Sequence, residues 1–322
     1  MKVVRNRVDV TRRAWLAGAA ALTAVGCGQA QPRLRIGYQR YGLLVVSRAR
    51  GRVDAGLDAG VDWVEFPSGP PLLEAMAAGA VDFGATGDTP PIFAQAANAP
   101  VRYVAAQRLR GEGVGVLIHR DGPVHKVSDL RGRRVGFTKG SSAHMFIIQA
   151  LRQAGLSVAD IEPAYLAPAD AAGAFARRAV DAWVVWDPYF ALAEREQGAA
   201  VLKTRASTAP SESYYLASQS LVDQAPARVR ALLDMLAADA AWGNAHPDEA
   251  VRIIARASGL PDEVAAMSFR REPLGVLPIT PADVALQQAC ADTFADLKLI
   301  PRRVRVADAV WGGWTAAPAA GV

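Results

Sequence analysis

Residues 80–88 read Ala-Val-Asp-Phe-Gly-Ala-Thr-Gly-Asp, and residues 179–187 read Ala-Val-Asp-Ala-Trp-Val-Val-Trp-Asp. Each stretch follows a predicted helix, opens with Ala-Val-Asp, continues as an apolar strand and ends on an aspartate shortly before a proline. Because the two stretches begin 99 residues apart, we interpret them as equivalent strand–helix units of two different lobes. Chance agreement over so short a segment is the alternative interpretation.

Short apolar strands alternate with helical segments around the first stretch. Strands are predicted at 34–38, 61–66, 81–86, 101–105, 116–119 and 134–137, and helices at 43–50, 69–78 and 142–154. Such alternation is typical of a mostly parallel sheet with helices on its faces. The chain has 322 residues, enough for roughly two domains. The sequence therefore predicts an α/β architecture in two lobes.

The C-terminal third is predicted to be helical. An apolar stripe runs through residues 229–240 behind Pro226, and further helices begin at Pro247 and at the Thr-Pro-Ala-Asp signature of residues 280–283. We expect these helices to pack against the first lobe, which makes that lobe discontinuous in sequence. Cys290 falls in the last of these patterns and is interpreted as a small apolar core residue.

Residues 1–30 have the pattern of a signal peptide. Arg12 and Arg13 precede an uncharged run from Ala14 to Gly26, which is too short for a membrane span and typical of the apolar region of an export signal. The paired arginines indicate the twin-arginine route. Cys27 follows a box that resembles a lipoprotein processing site, so lipid attachment at this residue and cleavage to an unanchored product are both open. We predict a periplasmic protein.

The positive charge of the chain is concentrated in this leader. The formal net charge is +5, but without residues 1–26 the chain keeps 31 basic and 30 acidic residues, a net charge of +1. No cluster of lysine and arginine interleaved with aromatic residues is left to contact a polyanion. The sequence therefore argues against nucleic acid as a partner.

Sequence motifs for catalysis or for a resident cofactor are missing. The four histidines lack metal-ligand spacing, and there is no Cys-x-x-Cys, His-Glu-x-x-His, Walker or Gly-x-Ser-x-Gly motif. The glycines at 111, 113 and 115 do not match the dinucleotide fingerprint. We predict no catalytic residue, no metal and no cofactor.

Two polar loops that contain glycine each open a predicted helix. Residues 86–91 read Thr-Gly-Asp-Thr-Pro-Pro, and residues 139–144 read Lys-Gly-Ser-Ser-Ala-His. Backbone N–H groups at a helix start, supplemented by hydroxyl donors, bind oxyanions, so two such loops that meet from two lobes would clamp a tetrahedral anion. The alternative is that their serine, threonine and aspartate residues only cap helices, and that Asp88 and Asp187 hold loops by accepting from backbone N–H groups.

Aromatic residues lie near two predicted strand ends. Tyr38 and Tyr41 lie at the end of the first strand, and Trp186 and Tyr189 lie around the end of the strand of the second repeat. The carboxyl ends of strands are where open α/β sheets bind ligands, so these side chains are candidates for contact with the carbon part of a ligand. Simple packing is the alternative for each of them, and Trp183 is expected in the core.

Five segments together resemble the aliphatic sulfonate-binding proteins of ABC importers. They read IGYQRYG at 36–42, VEFPSGPPLLEAM at 64–76, VDFGATGDTPPIFAQAA at 81–97, KGSSAH at 139–144 and AVDAWVVWDPY at 179–189. The resemblance implies an α/β, two-lobed periplasmic-binding-protein fold of type II. It implies hinge crossings near 118–121 and 214–218, and so one lobe of residues 31–119 plus 217–322 and a second lobe of residues 120–216.

The resemblance also implies a function, the delivery of an alkanesulfonate to an ABC permease in the inner membrane for sulfur acquisition. We expect a monomer without enzymatic activity. Candidate sulfonate contacts, carried over by position, are Gln39, Thr86, Gly87, Thr89, Gly140, Ser141, Ser142 and His144. Candidate walls for the organic tail are Tyr38, Tyr41 and Trp186, while Asp88 and Asp187 are candidates for shaping the binding loops.

The sequence departs from the family pattern in two places. Leu43 and Val45 stand where relatives usually have polar residues, and Gly-Glu-Gly-Val at 111–114 replaces a loop that usually carries serine. We hypothesise a ligand with a larger or more hydrophobic tail, including an aromatic one, or a loss of high sulfonate affinity. The alternatives are a binding protein for another oxyanion or small organic solute, such as taurine, nitrate or a pyrimidine, and a non-exported enzyme on the same fold. The leader and the lack of clustered cysteine and histidine argue against the enzyme.

Overall fold

The computed structural model describes residues 32–57, 60–208 and 210–316. The predicted signal peptide, with its paired arginines and Cys27, lies outside the described residues. Within the described ranges, no helix combines the length and the apolar character that a membrane span requires.

The described strands form two sheets. The first sheet consists of β1 (Leu34–Tyr38), β2 (Val61–Glu65), β3 (Phe83–Gly87), β4 (Val101–Leu109) and β10 (Ser211–Ser218). The second consists of β5 (Val114–His119), β6 (Arg134–Phe137), β7 (Glu162–Tyr165), β8 (Ala182–Trp186) and β9 (Ala199–Thr204). The α-helices are α1 (Leu43–Arg50), α2 (Arg52–Gly56), α3 (Gly69–Ala77), α4 (Thr89–Ala96), α5 (Ser142–Gln153), α6 (Pro168–Ala176), α7 (Tyr189–Glu196), α8 (Gln219–Gln224), α9 (Pro226–Ala245), α10 (Pro247–Ser258), α11 (Asp262–Arg271) and α12 (Pro281–Asp296).

The two sheets have the same strand arrangement. The order is β2-β1-β3-β10-β4 in the first sheet and β7-β6-β8-β5-β9 in the second. In each sheet the first three strands are parallel, and the fourth runs antiparallel to both of its neighbours. Four strands of each sheet therefore run in one direction, and the predicted α/β class with mostly parallel sheets is confirmed.

The 99-residue repeat is confirmed at the level of individual elements. β3 and β8 are separated by this offset, and so are α3 and α6. The aspartate of each Ala-Val-Asp makes the same contact: Asp82 accepts from the backbone N–H of Arg35, and Asp181 from that of Arg134, both at 2.9 Å. Each aspartate thus joins the starts of two neighbouring parallel strands, which explains why the tripeptide occurs twice.

Each sheet buries apolar residues on both faces. In the first sheet, α1, α9 and α10 cover one face, while α3, α4 and α12 cover the other. In the second sheet, α5 covers one face, and α6 with α7 covers the other. The C-terminal helices therefore pack on the first sheet, as predicted, and Cys290 and Trp183 are buried core residues. We call the first sheet with α1–α4 and α8–α12 the first half, and the second sheet with α5–α7 the second half.

The chain passes between the two sheets earlier than the sequence predicted. The first passage, residues 110–113, joins β4 to β5, and the second passage, residues 205–208 and 210, lies between β9 and β10. The crossings predicted near 118–121 and 214–218 were wrong, because residues 118–119 belong to β5 and residues 214–218 to β10. The chain turns instead at Gly111, whose φ of +77° suits glycine. Ala206 donates to the carbonyl of Gly111 at 2.8 Å, so the two passages lie side by side.

Candidate functional site

A cavity of about 600 Å³ is lined by residues of both halves. It lies at the carboxyl ends of β1, β3 and β8, the edge at which α/β sheets gather their ligand-binding loops. Eight of the predicted site residues line it: Gln39, Tyr41, Thr86, Gly87, Ser141, Ser142, Trp186 and Asp187. Five others, Tyr38, Asp88, Thr89, Gly140 and His144, are placed outside the cavity wall.

Gly87 and Ser142 bring the two predicted anion-binding loops together. Gly87 ends β3 in the first half, and Ser142 begins α5 in the second half. A Cβ atom added to Gly87 would lie 2.9 Å from Ser142 Oγ and 3.0 Å from Ser142 Cβ, so that Ser142 would have to shift. Glycine leaves room for this contact without such a shift. The two loops therefore meet, as the sequence predicted.

The starts of α4 and α5 lack side-chain caps. Ser141 occupies the N-cap position of α5, but its hydroxyl donates to the carbonyl of Thr138 at 2.7 Å. Asp88 occupies the N-cap position of α4 and makes no capping bond either. Pro90 and Pro91 have no N–H, so α5 offers more donors than α4. The capping alternative does not hold for these residues, and the first turn of α5 can donate to a bound anion.

Asp88 and Thr89 lie behind the end of the cavity that Gly87 and Ser142 form, which we call its polar end. The Asp88 carboxylate contacts the Arg205 guanidinium of the second passage at 2.5 Å, and the two side chains are only 4% and 1% exposed. The Thr89 hydroxyl donates to Asp88 at 2.9 Å. The expectation that Asp88 holds its loop through backbone N–H groups was wrong, since a buried arginine is its partner.

His144 supports the second loop from beneath. Its ring packs 5.1 Å from that of Phe137 and 5.4 Å from that of Phe294, and its Nδ1 accepts from the N–H of Gly140 at 3.2 Å. Burial, with a smaller effect of Lys139, lowers the pKa of His144 to about 4. The imidazole is therefore neutral at neutral pH and orients Gly140, whose φ is +70°.

Tyr38 also faces away from the cavity. Its hydroxyl donates to Glu65 at 3.3 Å and accepts from Arg48, and its ring meets that of Trp63 edge-on at 6.1 Å. These contacts hold β1 to β2 and α1. Tyr38 is therefore a packing residue of the first half, as the alternative interpretation of the aromatic residues had it.

The rest of the cavity wall is mostly apolar. Its apolar members include Tyr41, Leu43, Leu109, Val114, Trp186, Tyr189, Leu192, Leu260 and Leu274. Leu43 thus lines the cavity as hypothesised, whereas Val45 points into the core of the first half, because it lies two residues further along α1. The Tyr41 hydroxyl is buried without a hydrogen-bond partner among the described residues, so it can donate to a polar atom of a ligand.

Asp187 borders the apolar wall and is almost fully buried. Its carboxyl group accepts from the N–H of Ala191 at 3.0 Å and from Arg271 at 3.2 Å. Burial raises the pKa of Asp187 to about 7, and the positive charge of Arg271 opposes this shift. The role predicted for Asp187, holding the loop after its strand through a backbone N–H, agrees with the Ala191 contact.

The end of α11 contributes residues to the site that the sequence did not predict. Glu272 lines the cavity and accepts from the N–H groups of Arg110 at 2.8 Å and Gly113 at 3.0 Å, while Arg271 stands behind Asp187. The helix carries ordinary end signals, with Asp262 and Glu263 in its first turn and arginines in its last. Those signals would have located the helix, but no local pattern indicates that its last residues reach the cavity.

Three or more His, Cys, Asp or Glu side chains do not group into a potential metal site anywhere in the described ranges. The polar end of the cavity presents hydroxyl and N–H donors instead. The arrangement fits an organic anion whose charged group meets Gly87 and Ser142 and whose carbon part lies along the apolar wall.

Comparisons with known proteins agree with this geometry. The NMT1/THI5-like family matches residues 53–250. A protein of Escherichia coli strain K12 described as a putative aliphatic sulfonates-binding protein is 36% identical over 301 residues, which cover 92% of this chain and 94% of the relative.

Two solved structures are similar to this chain to different degrees. The alkanesulfonate-binding protein from Xanthomonas axonopodis pv. citri, bound to MOPS, has a TM-score of 0.83 and 35% identity, and the match covers 87% of this chain and 98% of that one. The desulfurization enzyme DSZB has a TM-score of 0.63 and 18% identity, with 89% and 97% covered, and shares the fold alone. The two-sheet architecture is the periplasmic-binding-protein fold, as expected.

Proposed function

We propose that this chain captures organosulfonates outside the cytoplasm for an ABC importer. The premise is its family, since the chain belongs to the NMT1/THI5-like family and within it to the aliphatic sulfonate-binding proteins. The observation that carries the proposal is the contact between Gly87 and Ser142 at one end of a cavity whose wall is mostly apolar. A donor-rich end and an apolar end match the two parts of an alkanesulfonate.

The polar end suits a sulfonate chemically. A sulfonate carries a single delocalised negative charge at neutral pH, so N–H and O–H donors can satisfy it without a pair of arginines. The donors at hand are the Ser142 hydroxyl and the first turn of α5. The hydroxyls of Thr86 and Ser141 donate to the carbonyls of Gly87 and Thr138 and would have to rotate to reach a ligand. Nitrate would also use such donors, but it would leave the apolar wall uncovered.

The size of the cavity favours a substantial tail. Cavities of 300–1,000 Å³ hold drug-sized ligands, and about 600 Å³ far exceeds what taurine would fill. Each buried methylene contributes about 0.8 kcal/mol, and Trp186 and Tyr189 offer faces on which a ring could stack. We propose a linear sulfonate of several carbons or an aromatic sulfonate as the ligand.

The site supports binding without catalysis. Ser141 and Ser142 line the cavity, but the nearby His144 packs behind the loop with a lowered pKa and makes its bond to Gly140. A serine nucleophile would need a base within hydrogen-bond reach, and neither hydroxyl has a histidine partner among the described contacts. The enzyme alternative has only the shared fold to support it.

The remaining parts of the proposal follow the leader and the passages. Residues 1–30 would direct export to the periplasm, by the twin-arginine route or with a lipid on Cys27, and an ABC permease would accept the loaded monomer. The two halves would act as lobes, with the two passages as hinges. This division replaces the predicted lobe boundaries with the passages themselves.

A glycine substitution tests the proposed anion contact. Gly87→Ala places a Cβ against Ser142 and should weaken hexanesulfonate binding by about 2 kcal/mol, roughly 30-fold, in calorimetric titration. Gly136→Ala in β6 is the matched control, because its Cβ would meet Val180 at an ordinary 3.6 Å. Unchanged affinity in the Gly87 variant would place the anion elsewhere, and a wild-type protein that binds nitrate but no sulfonate would overturn the proposal.

A further inference from the structure

Two aspartates at equivalent positions of the repeat are each held by an arginine from another part of the fold. Asp88 and Asp187 end the two copies of the repeat, 99 residues apart. Asp88 of the first half pairs with Arg205 of the second passage, and Asp187 of the second half pairs with Arg271 at the end of α11. α11 itself belongs to the first half, where Ala265 and Phe269 join the core.

Arg271 makes all its described polar contacts with the second half. Its Nη1 lies 3.2 Å from Asp187 Oδ1, its Nη2 lies 2.5 Å from Glu194 Oε2, and its guanidinium lies 4.3 Å from the centre of the Phe190 ring. These three partners lie on α7 or on the residues that lead into it. The arginine therefore spans from a helix of the first half to the helix that follows the cavity-lining Trp186.

The neighbouring residue, Glu272, binds the first passage. Its carboxylate accepts from the N–H groups of Arg110 and Gly113. Two consecutive side chains at the end of α11 thus contact the two parts that would have to move if the halves separated, which are the second half and the chain that leads to it.

The two aspartate–arginine pairs differ in their access to water. Asp88 and Asp187 are equally buried, at 4% and 3% exposed, but Arg205 is 1% exposed whereas Arg271 is 18% exposed and has a second partner, Glu194, that is 20% exposed. Separating a fully buried pair leaves a charge without solvent, which is strongly unfavourable. Arg271 differs because its guanidinium is partly solvated and Asp187 keeps the N–H of Ala191 when the arginine leaves. The first pair is therefore built to persist, and Arg271 can leave Asp187 at smaller cost.

We propose that Arg271 is a latch that holds the loop of Asp187, and with it Trp186 and Tyr189, against the ligand cavity. Arg271 is a positioning residue, since it does not line the cavity itself. The effect of the latch on ligand release rests on the proposed function, because it requires a ligand. The effect of the latch on the separation of the two halves requires no ligand and does not rest on that function.

The test compares Arg271→Met with Arg195→Met. Arg195 pairs with Glu263 between the same two helices, but these side chains are 52% and 72% exposed, so this control should behave like the wild type. We expect Arg271→Met to release hexanesulfonate roughly tenfold faster in stopped-flow tryptophan fluorescence, with the association rate changed less. Arg271→Lys should recover part of the loss because it keeps the charge.

A measurement without ligand separates this proposal from the sulfonate assignment. Small-angle X-ray scattering of the ligand-free protein should give a larger radius of gyration for Arg271→Met than for the wild type and for Arg195→Met. If the wild type binds no sulfonate, the function fails while the scattering still decides the latch. Glu194→Gln leaves α11 intact and should shift the release rate and the radius of gyration in the same direction. This variant decides the question if Arg271→Met folds poorly. Equal radii, together with equal release rates where a ligand binds, would overturn the latch.

Discussion

The two halves share one strand order but end their equivalent strands with different chemistry. β3 ends on Thr86 and Gly87, which bring a hydroxyl and a close backbone approach, whereas β8 ends on Val185 and Trp186, which are bulky and apolar. Since the frame is the same, these last residues divide the cavity into a polar end and an apolar end. The repeat thus determines where a ligand can lie, and the departures from the repeat determine which ligand it can be.

The same contrast extends to the aspartates that follow the two strands. Substituting Asp88 with Asn leaves the buried Arg205 without a counter-charge and should lower the free energy of unfolding by about 3–5 kcal/mol. Asp187→Asn should lower it by only about 1 kcal/mol, because Arg271 keeps Glu194 as a partner and the Asp187 carboxyl, with its pKa of about 7, is already partly protonated at neutral pH. Urea unfolding followed by circular dichroism measures both, and equal losses would contradict the distinction between the two pairs.

His144 is equivalent in the repeat to Val45, which lies 99 residues earlier. Because one residue is a buried histidine and the other a buried valine, we expect the stability of the second half to depend on pH. Its pKa is about 4 in the folded protein and about 6.5 in the unfolded chain, so below pH 6.5 the unfolded state binds a proton that the folded state does not. Stability is therefore lost as pH falls from 6.5 towards 4, by about 2 kcal/mol at pH 5.

The matched variant for this pH effect is His144→Asn, whose side-chain oxygen can replace Nδ1 as acceptor for Gly140. The comparison is the change in unfolding free energy between pH 7.5 and pH 5 for each protein. We expect the variant to lose about 2 kcal/mol less than the wild type over this interval. An identical change in both proteins would mean that His144 takes up its proton in the folded state.

Equivalent glycines provide the smallest expected difference. Gly37 in β1 and Gly136 in β6 are 99 residues apart, but a Cβ on Gly37 would lie 3.0 Å from Leu72, and one on Gly136 would lie 3.6 Å from Val180. Gly37→Ala should lower the melting temperature through a loss of about 1–2 kcal/mol from overpacking. Gly136→Ala should be neutral or stabilising by about 0.5 kcal/mol, because alanine restricts the unfolded chain. Calorimetric melting measures both variants, and equal changes would show that the two halves are packed alike here.

Most of the fold and half of the site were accessible from the sequence, because their signals are local. Strand alternation, helix-start prolines and the Ala-Val-Asp repeat predicted the sheets, and the polar loops predicted Gly87 and Ser142. The partners of Asp187 and of the first passage were not accessible, since Arg271 lies 84 residues from Asp187 and Glu272 lies 159 residues from Gly113. Nothing near α11 in the chain specifies such contacts; tertiary packing creates them.

The positions of the two passages show a related limit. β4 and β5 follow one another with only residues 110–113 between them, and both read as buried strands. Their apolar patterns are compatible with one sheet or with two, so the patterns do not locate the crossing between them. Only the pairing of β5 with β8 and β9 assigns it to the second half.

The measurement that tests the central claim most directly is calorimetric titration of the protein with ethane-, butane- and hexanesulfonate, with taurine as the polar comparison. If the two halves hold the sulfonate at Gly87 and Ser142 and its tail along Trp186, affinity should rise by up to about fourfold per methylene, and hexanesulfonate should bind far more tightly than taurine. Tightest binding of taurine, or no dependence on chain length, would contradict the assignment of a polar and an apolar end.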